Sequence, residues 1–247
     1  MGTRRSALMN GLLAIGILVT VVQPIAPVLR AADNGPQDAR EMLKELQDYI
    51  GAWKGSGGPD KPRPGPHDPV WSESLDWSWR FKGDDAWLLL KISNGKQFKD
   101  GEIRYLPDKG AYQLTLTDTR GRKLIFQGTL KNEVLTWERI DPQTKEAQRI
   151  TMNIAGDGVR FIYRVAHRGE GSTIWVKDFM VACTKEGESL GHTEKKNACV
   201  VSGGVGTIAV TYKGETYWVC CSGCRDAFNE NPEKYIAEFK AKKAGNK

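Results

Sequence analysis

Beyond residue 70 the apolar positions of this chain recur every second residue. Trp71, Leu75, Trp77, Trp79 and Phe81 alternate with mostly polar neighbours, as do Tyr112, Leu114 and Leu116. Ile150, Met152 and Ile154 repeat the pattern, and so do Val159, Phe161, Tyr163 and Val165. Period two places alternate side chains on one buried face of a strand. Turn-forming strings separate these runs: Lys82-Gly83-Asp84-Asp85, Ser93-Asn94-Gly95, Pro107 to Gly110, Asp118 to Gly121, Asp141-Pro142, Ala155 to Gly158 and Arg168 to Gly171. Each suits a tight connection between antiparallel neighbours. About nine strands ending at Val181 are predicted as a meander, and one of that length removes its exposed edges by closing into a barrel.

The pattern differs at both ends. From Gln37 to Tyr49 the apolar positions Met42, Leu43, Leu46 and Ile50 recur at helical spacing and predict one short amphipathic helix. Gly51-Ala52-Trp53 follows, then a Gly/Pro-rich stretch, Gly55 to Pro69, read as an ordered loop or flap. Ahead of the helix, Arg4-Arg5 precedes an apolar run from Ala7 to Leu29 with small residues at Ala31-Ala32. This is the three-part pattern of a secretory signal, and an uncleaved anchor is its alternative. Thr3 to Leu8 also resembles a weak twin-arginine signal. The expected location is therefore periplasmic or secreted, in a bacterial cell envelope.

Composition narrows the function. The chain has 247 residues and a formal charge of +6. The first 32 residues carry Arg4, Arg5 and Arg30 and no acid, which leaves 33 basic against 30 acidic residues. A body charge of +3 is too small for a nucleic-acid footprint. Three histidines argue against a histidine-built metalloenzyme, and no HExxH, GxSxG or GxxxxGK[ST] string occurs. No pair of carboxylates stands out as acid and base, so no catalytic residue is assigned and the chain is not expected to be an enzyme.

Gly51 and Trp53 before an up-and-down barrel resemble the lipocalin and nitrobindin-like group over roughly Gln37 to Val181. Barrels of that kind hold one small ligand, so a small hydrophobic molecule is a possible partner. Heme binding in the nitrobindin-like branch needs a histidine near the barrel end. His167 falls in a predicted turn and does not match, so no heme site is carried over. Seven of the eight tryptophans lie in this region and are read as core.

The remaining chemistry is at the C-terminus. Residues 183–197 read as a linker, and residues 198–247 as a small module with a basic tail. Cys199 precedes a hairpin, Ile208 to Tyr212 and Thr216 to Val219 about the turn Lys213-Gly214-Glu215. Cys220, Cys221 and Cys224 then stand at the start of a helix near Arg225, with a second helical start at Asn231-Pro232. A hairpin followed by a helix brings distant thiols to one point. The helix N-terminus favours thiolate, the form that binds soft metals. About fifty residues are few for an independent core, so a metal or crosslink is expected.

These residues resemble the YHS and TRASH group of small treble-clef-like metal-binding modules. The match is Cys199, a gap of twenty residues, Cys220-x-x-x-Cys224, then Phe228, Pro232 and Tyr235, with Tyr212, Gly214 and Tyr217 in the hairpin. The resemblance implies one copper or zinc ion and transfers a ligand role to Cys199, Cys220 and Cys224. Cys221 is an extra candidate, and its spacing to Cys224 would also serve. Structural zinc takes four ligands, so three thiolates lean towards copper unless Cys221, Cys183 or His192 joins. The expected function is metal buffering or sensing, with Tyr217 and Phe228 packing the hairpin onto the helix.

Two rivals remain, and a third is rejected. Exported cysteines form disulfides, and a stapled module would make the barrel a small-molecule carrier. Cys221-Ser222-Gly223-Cys224 has the spacing of a thiol oxidoreductase, but the flanking hairpin lacks the parallel partner of that context. Gly204 to Ala209 satisfies a loose dinucleotide pattern, yet it precedes a strand where a helix N-terminus is required.

Overall fold

A computed structural model describes residues 38–63, 65–187 and 197–245. The expected signal segment and His192 lie outside the described residues. Ten strands form a closed antiparallel barrel: β1 (Gly51–Pro59), β2 (Trp71–Lys82), β3 (Asp85–Ser93), β4 (Phe98–Leu106), β5 (Ala111–Asp118), β6 (Lys123–Lys131), β7 (Val134–Ile140), β8 (Ala147–Ala155), β9 (Arg160–Arg168) and β10 (Val176–Lys185). Each strand pairs with the next, and β10 returns to β1 with Gly57 opposite Val181. The alternation drives this architecture. In β5, Tyr112, Leu114 and Leu116 are buried while Gln113 and Thr115 are half-buried on the other face.

Three expectations are corrected. Gly55 to Pro59 is not loop but the second half of β1, which supplies the tenth strand. A Cβ at Gly55 would sit 2.0 Å from the Ala182 carbonyl, and one at Gly57 would sit 2.1 Å from the Trp71 ring. The glycines are there for close approach, and this need overrides their weak strand preference. His167 lies in β9 rather than a turn, and its Nδ1 is 2.8 Å from the Asp178 carboxylate on β10. The N-terminal helix is α1 (Ala39–Leu43) followed by a 3-10 segment, Lys44–Tyr49, rather than one continuous α-helix.

Leu43, Leu46 and Tyr49 of this segment are buried in the barrel core. Tyr49 Oη donates to the Met152 carbonyl (3.1 Å), and Trp53 Nε1 donates to the Tyr49 carbonyl (2.8 Å). Of the seven tryptophans read as core, Trp53, Trp77, Trp79 and Trp137 are fully buried, whereas Trp71, Trp87 and Trp175 are half-buried, with Arg104 over Trp87 and Arg149 over Trp175. A void of about 10 Å³ remains among Leu75, Trp77, Ile150 and Phe161 inside the barrel, roughly the space of one water.

The C-terminal region comprises a two-residue ribbon, β11 (Asn197–Ala198) with β12 (Val205–Gly206), the hairpin β13 (Ile208–Tyr212) and β14 (Glu215–Val219), and two helices, α2 (Ser222–Glu230) and α3 (Pro232–Gly245). The basic stretch beyond Lys240, read as a solvated tail, continues α3 to Gly245. Trp77, Ser78 and Trp79 are buried in succession, so both faces of β2 are covered there, the outer one by α2. Barrel and cysteine region belong to one compact unit. Among the described residues no helix is long and apolar enough to cross a membrane.

Candidate metal centre

Cys199 opens a tight loop that reverses the chain between β11 and β12. Its amide donates to the Gly204 carbonyl (2.6 Å), and the Gly203 amide donates back to the Cys199 carbonyl (2.9 Å). Gly203 has φ +85°, a region that side chains disfavour. Cys220 follows β14, Cys221 is the N-cap of α2, and Cys224 lies in its first turn. The hairpin thus carries the chain from the Cys199 loop to the helix entrance, as its length predicts.

The sulfurs of Cys199, Cys220 and Cys224 all lie within 4.8 Å of one another, and all three residues are buried. Cys220 Sγ is 3.5 Å from Cys224 Sγ. A metal about 2.3 Å from each of three thiolates in a plane needs sulfurs about 4 Å apart, so the spacing fits an ion with small adjustment. Cys221 stands outside this group. Its Sγ is 3.9 Å from Cys220 Sγ and accepts a hydrogen bond from the backbone N–H of Trp79 on β2 (3.4 Å). None of the five cysteines is bridged to another. Cys183 faces the barrel core, away from the cluster; burial, and then the Glu73 carboxylate, pushes its thiol up to about 12.

The cluster is electrostatically uneven. Hydrogen bonds from the Cys220 and Cys224 thiols, then from Ser202, hold Cys199 well below the ordinary thiol value. Cys221 is lowered in the same way by Cys220 and Cys224. Cys220 is raised by its hydrogen bonds with Cys199 and Cys221, and Cys224 by burial and then by Cys199. The negative form is thus favoured at Cys199 and Cys221, with Cys220 and Cys224 placed to donate to them. This is chemistry suited to a soft cation.

Several residues that sequence reasoning missed hold the cluster in place. The Ser202 N–H donates to Cys199 Sγ (3.4 Å), and Ser202 Oγ is 3.3 Å from Cys220 Sγ. Arg40 Nη2 donates to the Val201 carbonyl (2.7 Å), so α1 grips the Cys199 loop. The Gln47 side chain fills the space that a Cβ on Gly204 would take, and its Oε1 accepts from Trp79 Nε1 (3.0 Å). A hydroxyl three residues after Cys199 is visible in sequence. Arg40, Gln47 and Trp79 are separated from the cysteines by over a hundred residues and give no local signal.

As the resemblance implied, Phe228 of α2 packs on Tyr217 (ring centroids 5.6 Å) and Tyr212 (6.3 Å) of the hairpin. Tyr235 on α3 is buried beneath the Arg40 guanidinium (5.6 Å). The geometry is a barrel that carries, on the outer face of β2, a buried thiol cluster able to hold a metal ion. No protein-family model and no curated protein matches the chain.

Proposed function

We propose that this protein binds one soft metal ion, copper or zinc, through Cys199, Cys220 and Cys224, and that it buffers or senses that metal outside the cytoplasm without catalysing a reaction. The observation that carries the reading is the convergence of three buried sulfurs within 4.8 Å from two segments twenty residues apart. Resemblance of the same cysteines and aromatics to the treble-clef-like YHS and TRASH modules supports it. Three close thiolates, with the fourth sulfur engaged by a barrel amide, suit Cu(I) better than tetrahedral zinc. The signal-like N-terminus supports an envelope location. In this reading the three cysteines supply thiolates, Ser202 orients two of them, and burial keeps water from the bound ion.

Native mass spectrometry of the exported, mature protein tests it. A mass excess matching one copper or zinc, lost in Cys224→Ser while the barrel stays folded, is expected. Unchanged metal content in Cys224→Ser refutes the ligand set. A deficit of about two hydrogens per bridge, with no metal, replaces it with a disulfide-stapled module.

A second reading, a small-molecule carrier, is favoured by one observation: Trp77 Nε1 is buried in the barrel with no hydrogen-bond partner. The 10 Å³ void beside it requires side chains to move before anything larger than water enters. Co-purification of a hydrophobic molecule with the full chain, lost in Trp77→Phe, would support this reading.

A further inference from the structure

The buried cluster has one wet side. Cys199 and Cys224 have no exposed surface, whereas Cys220 and Cys221 keep 7% and 5%. Those two line a cleft of about 570 Å³ between the barrel and the cysteine region. Asp76 on β2, Lys185 at the end of β10 and Glu186 just beyond it bring charges of both signs to its walls, the Lys185 ammonium also donating to the Asp48 carbonyl (3.4 Å), and Ala52 of β1 lines its barrel side. A volume of this size lies in the range of small-molecule sites. The same cleft passes the sulfur that the three-thiol cluster leaves out.

We propose that this cleft binds a small zwitterionic thiol that carries the metal, and that Cys221 is the first protein sulfur to receive the ion before it passes to Cys199, Cys220 and Cys224. The inference rests on the metal-binding reading above. Soft ions prefer thiolate partners, so a small thiol is the carrier whose sulfur would enter deepest. Its ammonium would face Asp76 and Glu186, and its carboxylate Lys185. Cys221 is suited to the transfer because it adjoins the cluster without belonging to it, 3.9 Å from Cys220. Each exchange breaks one metal–sulfur bond to the carrier and forms one to the protein. A protein sulfur that arrives as a thiolate releases no proton and the carrier leaves as its thiolate; one that arrives as a thiol passes its proton to the departing thiolate, and the metal keeps its oxidation state.

The test is the rate at which the full-length apo-protein takes up Cu(I) presented as its complex with free cysteine, compared with Cu(I) presented in acetonitrile. Cys221→Ser is expected to slow uptake from the cysteine complex by about tenfold or more. Ala52→Trp, which fills the cleft from its barrel side, is expected to do the same and still to reach one copper per chain. Uptake from the cysteine complex at the wild-type rate in Cys221→Ser overturns the proposal. So does loss of bound copper at equilibrium in that variant, since Cys221 would then be a resident ligand; the metal-binding reading survives both results. Failure of the wild-type protein to take up copper from either source overturns the proposal and the copper form of the metal-binding reading.

Discussion

The seat of α2 on the barrel is testable at a single hydrogen atom. Gly223, between Cys221 and Cys224, lies so close to β2 that a Cβ would fall 1.6 Å from the Trp79 carbonyl oxygen. Real Cβ contacts essentially never fall below 3.0 Å, so Gly223→Ala must push the helix about 1.4 Å from the strand. Alanine is the better helix former by about 1 kcal/mol, so in a free helix the change would stabilise. Here overpacking costs about 1–3 kcal/mol, and the Trp79 N–H to Cys221 bond, worth at most about 1 kcal/mol, is lost as well. A net loss of about 2 kcal/mol is expected from these opposing effects. Because α2 carries Cys224, the same displacement opens the 3.5 Å spacing to Cys220. Metal affinity should fall by about tenfold or more, which is about 1.4 kcal/mol. Urea unfolding followed by tryptophan fluorescence reads the first effect, and competition with a chelator reads the second. Asn229→Ala, on the exposed face of the same helix, should stay within about 0.5 kcal/mol of wild type. A Gly223→Ala protein as stable as wild type, with unchanged affinity, would refute the contact between α2 and β2.

Three further outcomes follow from particular residues. Cys183→Ser should leave metal content unchanged, and Cys183 should resist maleimide until the protein unfolds, because its thiol is buried and pushed up to about 12; thiol counting before and after denaturation checks this. Tyr163→Phe should cost about 2 kcal/mol in urea unfolding, since Tyr163 Oη donates to the buried Glu73 carboxyl (2.6 Å), which among the described residues then keeps the Trp71 indole as its side-chain donor. The backbone amides of Gln143 and Thr144 hold the Asp141 carboxyl below its ordinary value of 3.8. Its contribution is therefore complete above that value and disappears as pH falls through the lower folded one. Asp141→Asn should be less stable than wild type at neutral pH and converge with it in acid, and a constant gap across that titration would contradict the assignment.

Much of the barrel was legible because one physical signal repeats: a buried residue at every second position and a turn string between runs. Legibility failed where another force outweighs that signal. Gly55 and Gly57 read as loop, yet they are strand because Ala182 and Trp71 leave no room for a side chain. The Lys131 to Val134 turn has no glycine and gave no cue, although Asn132 and Glu133 both adopt positive φ to make it. At the cysteine site, spacing alone suggested convergence, and the resemblance selected the same three residues that the structure brings within 4.8 Å. The order of preference between Cys220 and Cys221 was not legible. It depends on the Trp79 amide, which claims Cys221 from a strand 142 positions away.

That contact also bears on why a thiol cluster should be carried by a barrel. The region from Asn197 to Gly245 is too short to bury a core of its own. Its apolar side is completed by other parts of the chain: Arg40 grips the Cys199 loop, Gln47 fits against Gly204, and β2 accepts α2 at Gly223. These three contacts, from α1, the 3-10 segment and β2, meet the two ends of the cysteine segment separately, so they fix the distance from Cys199 to Cys220 and Cys224 without an ion. In a free module of this size that distance would be set by the metal itself, with folding and binding a single event. Here the sheet supplies the ordering in advance. On the proposed metal-binding reading, the binding free energy is then available for affinity and for transfer through the cleft, rather than being consumed in folding the site.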